Sequence, residues 1–142
     1  MRAYHMQYDA ASFPESLFLA VPSGRAAASS DRTRLMPSAA AYSLLNFALL
    51  RDWGVCSPPE VIWEYGKKPV FAGGSGLHFS LSHSGAHVFC CIDRHPAGAD
   101  IQLVRTVSPR TAARIMTPRE LRAYSESGCS EDFFFRLWVL KE

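Results

Sequence analysis

The sequence lacks the features that would assign its class at once. Its four cysteines, Cys56, Cys90, Cys91 and Cys129, form no Cys-x-x-Cys pair and have no accompanying histidine ladder, which excludes the common zinc-binding patterns. Cys90 and Cys91 lie in an apolar strand pattern and read as small core residues. The longest apolar run, residues 39–50, is interrupted by Ser43 and Asn46 and is too short to span a bilayer. Polar residues are spread throughout the N-terminus, which contains no apolar signal-peptide core, so a cytoplasmic location without a membrane partner is expected. No short-period repeat and no low-complexity tract occurs, although residues 26–30 form a small-residue connector. A net charge of +2 is too small to argue for nucleic acid, and none is expected as a partner.

A chain of 142 residues with 48% apolar and 20% charged residues can bury a real core, and belongs among globular proteins rather than disordered ones. Residues 2–8 alternate weakly and predict a first strand, and residues 14–21 lead into a Pro-Ser-Gly turn. A helix follows, capped by Ser30 or Asp31, with an apolar stripe at Ala41, Leu44, Leu45, Ala48 and Leu49. Pro37 requires that helix either to begin near it or to bend there. Ser57-Pro58-Pro59-Glu60 has the pattern of a capping box opening one short turn, and residues 61–65 predict a strand entering the Gly66-Lys67-Lys68-Pro69 turn. Three strands are then expected in succession, at 77–81, 87–93 and 98–104. Ser108-Pro109, Thr117-Pro118 and Ser130 each mark a helix start, and Phe134, Leu137, Trp138 and Lys141 share one face of the last helix.

Chemistry gathers around the three predicted strands. Ser82-His83-Ser84-Gly85 offers hydroxyls, an imidazole and free backbone N–H groups, a set suited to phosphate oxygens. Asp100 and Gln102, two apart, would leave a strand by one face and present oxygens to a hard cation. Arg25, Arg32, Arg34, Lys67 and Lys68 all precede residue 70 and could serve a polyanionic ligand or simply be solvated surface charge. Thr117 and Glu120 form a capping box, which explains Glu120 without catalysis.

Four motifs occur in a telling order: Gly66-Lys67-Lys68-Pro69, Phe79-x-x-Ser82-His83-Ser84, Gly98-x-Asp100-x-Gln102 and Trp138-x-x-Lys141-Glu142. Together they resemble the 4′-phosphopantetheinyl transferase superfamily, in its surfactin-synthetase-activating, two-repeat branch. The resemblance runs from about residue 32 to the last residue. It implies an α+β fold, a small mostly antiparallel sheet packed on helices, with residues 1–107 as the first repeat and 108–142 as the incomplete start of the second. It also implies magnesium-dependent transfer of the 4′-phosphopantetheine group from coenzyme A to a serine of an acyl or peptidyl carrier protein.

The same resemblance assigns roles to residues. Arg34, with Arg32 as its substitute, and Lys68, Ser82 and His83 would bind coenzyme A. Asp100, Gln102 and Glu142 would hold Mg2+, Gln102 standing where glutamate is commoner. Glu142 and Asp100 would be the catalytic residues, with Glu120 as a further candidate. Two-repeat members continue beyond the Trp-x-x-Lys-Glu motif, so the resemblance implies a truncated chain, with an oligomer or partner chain as one way to supply the missing half. Two alternatives remain at this point: an inactive coenzyme A-binding fragment, and an interaction module that needs a partner to complete its fold.

Overall fold

The Asp31 carboxylate accepts the Thr33 N–H at 3.0 Å and so satisfies one of the amides a helix leaves unpaired at its start. The helix it caps organises everything around it. In this computed structural model, which describes residues 1–141, the chain order is β1 (Arg2–Gln7), a 3₁₀ turn (Glu15–Ala20), α1 (Ser23–Ala27), α2 (Arg32–Trp53), β2 (Val61–Ile62) and β3 (Val70–Phe71). A second 3₁₀ turn (Ala72–Gly74), β4 (His78–Ser84), β5 (His87–Asp93), α3 (Pro109–Ile115), α4 (Pro118–Glu126) and α5 (Glu131–Lys141) follow. The fold is α+β, and it divides into two units, Met1–Ile101 and Gln102–Glu142. No helix among the described residues is long and apolar enough to cross a membrane.

In the first unit β5 is the central strand of an antiparallel sheet ordered β1-β5-β4. Its register places Tyr4 opposite Cys90, and Cys90 opposite Leu81. Side chains alternate across such a sheet, so Phe79 and Leu81, Val88, Cys90 and Ile92, and Tyr4 and Met6 all project to one side. There they meet Ala41, Leu44, Leu45, Ala48 and Leu49 of α2, the stripe the spacing predicts. Ala39, Ala40 and Tyr42 are buried as well, because the 3₁₀ turn at Glu15–Ala20 covers another side of the helix. Burial pushes the Cys90 thiol up to about 12, so it remains a neutral core residue. Gly54, at φ 66°, ends α2 in the left-handed conformation that glycine adopts at least cost.

The structure keeps Pro37 inside the helix that Asp31 caps, as the sixth residue of α2, which starts at Arg32 and runs through it. The hydrogen bond it forfeits is to the carbonyl of Thr33, on the exposed first turn, where water can substitute. The structure departs from the sequence reading at four places. Residues 82–84, expected as a turn with free N–H groups, are the paired end of β4. Residues 57–60 form no helical turn, in keeping with the bias a proline such as Pro59 imposes against helical backbone at the residue before it. Of the strand expected at 61–65 only Val61–Ile62 pairs, with Val70–Phe71, and Gly66 at φ 73° turns the chain between them. Residues 98–104 form no strand, although β4 has an open edge there.

The second unit has its own apolar cluster, centred on Ala112, Met116, Tyr124, Phe134 and Phe135, with Leu137 and Trp138 packed against it. All three helix starts read from the sequence are present. Ser108 accepts the Thr111 N–H at 3.1 Å, Thr117 the Glu120 N–H at 3.3 Å, and Ser130 the Phe133 N–H at 3.3 Å. Pro109 and Pro118 take the first helical positions, where a missing N–H costs nothing.

Leu45, 1% exposed, and Phe47, 52% exposed, are two residues apart on α2 and test this packing. Leu45→Ala should lower unfolding stability by about 2–5 kcal/mol, and Phe47→Ala by less than about 1 kcal/mol. Urea titration followed by circular dichroism checks both; equal losses would contradict the assigned face.

Candidate phosphate and metal site

Ser80 and Ser82 leave β4 by the face opposite Phe79 and Leu81 and turn their hydroxyls to the segment that follows β5. Ser80 Oγ accepts the Ala99 N–H at 3.2 Å, and Ser82 Oγ accepts the Ile101 N–H at 3.2 Å. Two serines two residues apart thus hold two amides two residues apart. Side-chain hydroxyls take the part a neighbouring strand would play, which is why residues 98–101 lie alongside β4 without joining its ladder.

Ser82 also donates its one hydroxyl proton to Asp100 Oδ1. Its donor is therefore committed, and the hydroxyl fastens the Ser-His-Ser end of β4, a strand segment rather than the expected turn, to the carboxylate of the Gly-x-Asp motif. These are two of the residues the sequence singles out, and the structure brings them into contact.

His83 follows Phe79 and Leu81 in strand parity and leaves β4 on the other face from Ser82. Its side chain is exposed at the surface, yet the protein packed around it disfavours the imidazolium and holds its pKa below 6.5. The Arg25 guanidinium depresses it further, while Asp100 acts in the opposite sense. Arg25 lies over the Trp63 ring, 5.5 Å from its centroid, and its charge also reaches Tyr42, whose hydroxyl is pushed up to about 12 by burial. From sequence Arg25 was only one of the five cations singled out before residue 70. No local pattern sets it apart, because its closeness to His83 depends on how α1 docks on residue 63.

The other proposed coenzyme A contacts have partners of their own. Arg34 is 80% exposed on the first turn of α2 and pairs with Asp31 at 3.3 Å. Arg32 pairs with Glu15 and lies 4.9 Å from the Phe18 ring centroid. Lys67 pairs with Glu64, and Lys68 donates to the Ala97 carbonyl. Lys68 also lines a cleft of about 480 Å³ with Pro69, Phe71, Ser75, His78 and Pro96. Of the two adjacent lysines, one is tied to a neighbouring acid and the other borders a cavity.

For a metal, Asp100 contributes a carboxylate in the first unit. Gln102 opens the second unit, half-buried beside a groove that Val104, Phe135 and Val139 also line. Glu142 lies outside the described residues. Among the described residues no group of three or more His, Cys, Asp or Glu side chains converges on one point. Asp100 and Gln102 are oxygen donors, the type a hard cation such as Mg2+ takes, and Mg2+ commonly uses only one or two carboxylates with waters and substrate phosphates.

Glu120 is in the second unit and makes the expected capping box. Its Oε2 accepts the Thr117 N–H at 2.8 Å and the Thr117 hydroxyl at 3.0 Å. The Lys141 ammonium donates to the same oxygen at 2.6 Å, and these donors, Lys141 foremost, hold the carboxyl down at about 2.

His83 gives this region a measurable pH dependence. Because the native state resists its protonation, the unfolded chain takes that proton first as pH falls through 6.5, and stability declines below that pH. Proton NMR should place the His83 midpoint below 6.5, and His83→Gln should flatten the decline. A midpoint above 6.5 would contradict the packing around the imidazole, with Arg25 as a lesser contributor.

Comparison with known proteins bears on the same segments. The model of the 4′-phosphopantetheinyl transferase superfamily matches residues 96–142. A 4′-phosphopantetheinyl transferase of Bacillus subtilis is 34% identical over 86 residues, 57% of this chain and 37% of that protein. The 4′-phosphopantetheinyl transferase Sfp of Bacillus subtilis strain 168 is 36% identical over 81 residues, 56% of this chain and 36% of its own length. The 4′-phosphopantetheinyl transferase gsp of Aneurinibacillus migulanus is 35% identical over 81 residues, 56% of this chain and 33% of its own length. The chain thus spans about a third of the length of the curated relatives it matches. The segment that carries Asp100 and helices α3–α5 thus matches the 4′-phosphopantetheinyl transferase superfamily, and more than half of the chain is similar to these 4′-phosphopantetheinyl transferases.

Proposed function

We propose that this chain acts as a 4′-phosphopantetheinyl transferase, moving the phosphopantetheine arm of coenzyme A to a serine of an acyl or peptidyl carrier protein in the cytoplasm. One observation carries the reading: the Ser82 hydroxyl, shared between Asp100 and the Ile101 N–H, joins the Ser-His-Ser end of β4 to a carboxylate. In the reaction the carrier serine oxygen bonds to the β-phosphorus of coenzyme A. The bond from that phosphorus to the bridging oxygen breaks, and adenosine 3′,5′-bisphosphate leaves.

The residues divide the work by chemistry. His83, Ser82, Lys68 and Arg34 or Arg32 hold the phosphates and the nucleotide, with Arg25 adding positive charge beside His83. Asp100, Gln102 and Glu142 would hold magnesium, which when bound offsets the negative charge of the pyrophosphate. Glu142 accepts the proton of the attacking serine. Holding nucleotide and carrier serine in line supplies much of the rate, since phosphoryl transfer asks the protein mainly for position and charge. Residues 1–107 serve as the first repeat, and residues 108–142 belong to the second. The neutral Gln102 favours a second reading, in which the chain binds coenzyme A without turnover.

Intact-mass spectrometry of an apo carrier protein, incubated with the chain, coenzyme A and magnesium, separates the two readings. The transferase reading expects the carrier to gain one phosphopantetheine. Asp100→Ala should slow that gain by more than about 100-fold, because even the outer partners of metal ligands account for about 10–100-fold. Coenzyme A binding with an unchanged carrier mass would leave the second reading; neither binding nor transfer would overturn both.

A further inference from the structure

Lys141 lies at the end of α5, but its ammonium serves two other helices. It donates to the Ile115 carbonyl at 3.0 Å and to Glu120 Oε2 at 2.6 Å. Ile115 is the last residue of α3, where the closing carbonyls have no partner within the helix and a cation is favoured by the helix dipole. Glu120 is the reciprocal cap of α4. One ammonium therefore ties the end of α3 and the start of α4 to the last turn of α5. The pair is only 35% and 26% exposed, so solvent screens it less than a surface pair.

We infer that Glu120 is a positioning residue: by gripping Lys141 it fixes the last turn of α5, the turn that leads into Glu142. The inference deepens the transferase reading and rests on it for its functional consequence. A direct part in catalysis suits Glu120 poorly. Its Oε2 already accepts from Thr117 N, Thr117 Oγ1 and Lys141 Nζ, and a carboxylate so satisfied is a weak proton acceptor near neutral pH. The sequence hides this role, because the capping box alone accounts for a glutamate at position 120. Only the 21-residue reach from Lys141 gives it a second task.

The variants are Glu120→Gln, which keeps an acceptor for the Thr117 N–H but removes the charge, Lys141→Met, and Lys141→Arg as the conservative change. Backbone ¹⁵N relaxation of Trp138, Leu140 and Lys141 in the full chain reads the last turn without reference to activity. Order parameters near 0.85 in the wild type should fall below about 0.6 in Glu120→Gln and in Lys141→Met, where residue 141 itself is read as methionine, while Phe134 remains rigid. Lys141→Arg should keep them high. In the transfer assay, the first two variants should lose about 10-fold in kcat with KM for coenzyme A unchanged, and Lys141→Arg should retain activity. Unchanged order parameters in both disabling variants would overturn the inference. So would a 1,000-fold loss of kcat in Glu120→Gln with the last turn still rigid, since that would make Glu120 a proton acceptor. If the wild-type chain transfers nothing while the order parameters change as expected, the grip on Lys141 stands and the transferase reading falls.

Discussion

A serine hydroxyl half-buried against a sheet must find both a donor and an acceptor, or part of its hydration is lost without return. Ser82 finds both in one segment, accepting from Ile101 N and donating to Asp100 Oδ1. Much of the first unit serves to make that possible. The packing of Phe79 and Leu81 against α2 decides which face of β4 is buried, and strand alternation then sends Ser80 and Ser82 the other way. A one-residue slip of β4 would exchange the two sets and turn the serines into the core. The position of Asp100 therefore depends on the fit of leucines and alanines on the far side of the sheet.

The second unit uses the same economy with different groups. Its helices begin at hydroxyl caps followed by proline or acid, and the cap of α4 doubles as the anchor for the lysine at the end of α5. An interaction that first looks purely structural thus reaches the turn adjoining a motif residue. Such dual use lets one carboxylate serve two helix ends at once.

Elements governed by local rules were legible in the sequence. The α2 stripe, β4 and β5, and the caps at Asp31, Ser108, Thr117 and Ser130 follow from periodicity and from side chains that bond their own neighbours. Elements governed by competition were not. Residues 98–104 have the composition of a strand, but Ser80 and Ser82 capture the amides of Ala99 and Ile101 before a ladder can form. Pro37 left open whether the helix began near it or bent there, and near an exposed helix start the bond it removes is cheap. In the candidate site, Ser82 and Asp100 were legible as motif residues, but their contact was not. Arg25 was hidden among other cations because a field at His83 arises from tertiary docking, which no short window of sequence records.

If the Ser82 bridge holds the carboxylate in the place a cation needs, coenzyme A affinity should have a magnesium-dependent part that requires the Ser82 hydroxyl. Isothermal titration of coenzyme A into the wild type and Ser82→Ala, each with and without magnesium, measures this directly. The account predicts that magnesium tightens binding to the wild type by about 10-fold or more and has little effect on the variant, in line with the cost of losing a metal ligand's supporting partner. Equal magnesium enhancement in both proteins would contradict it, and would leave the contact between Ser82 and Asp100 as a device of folding alone.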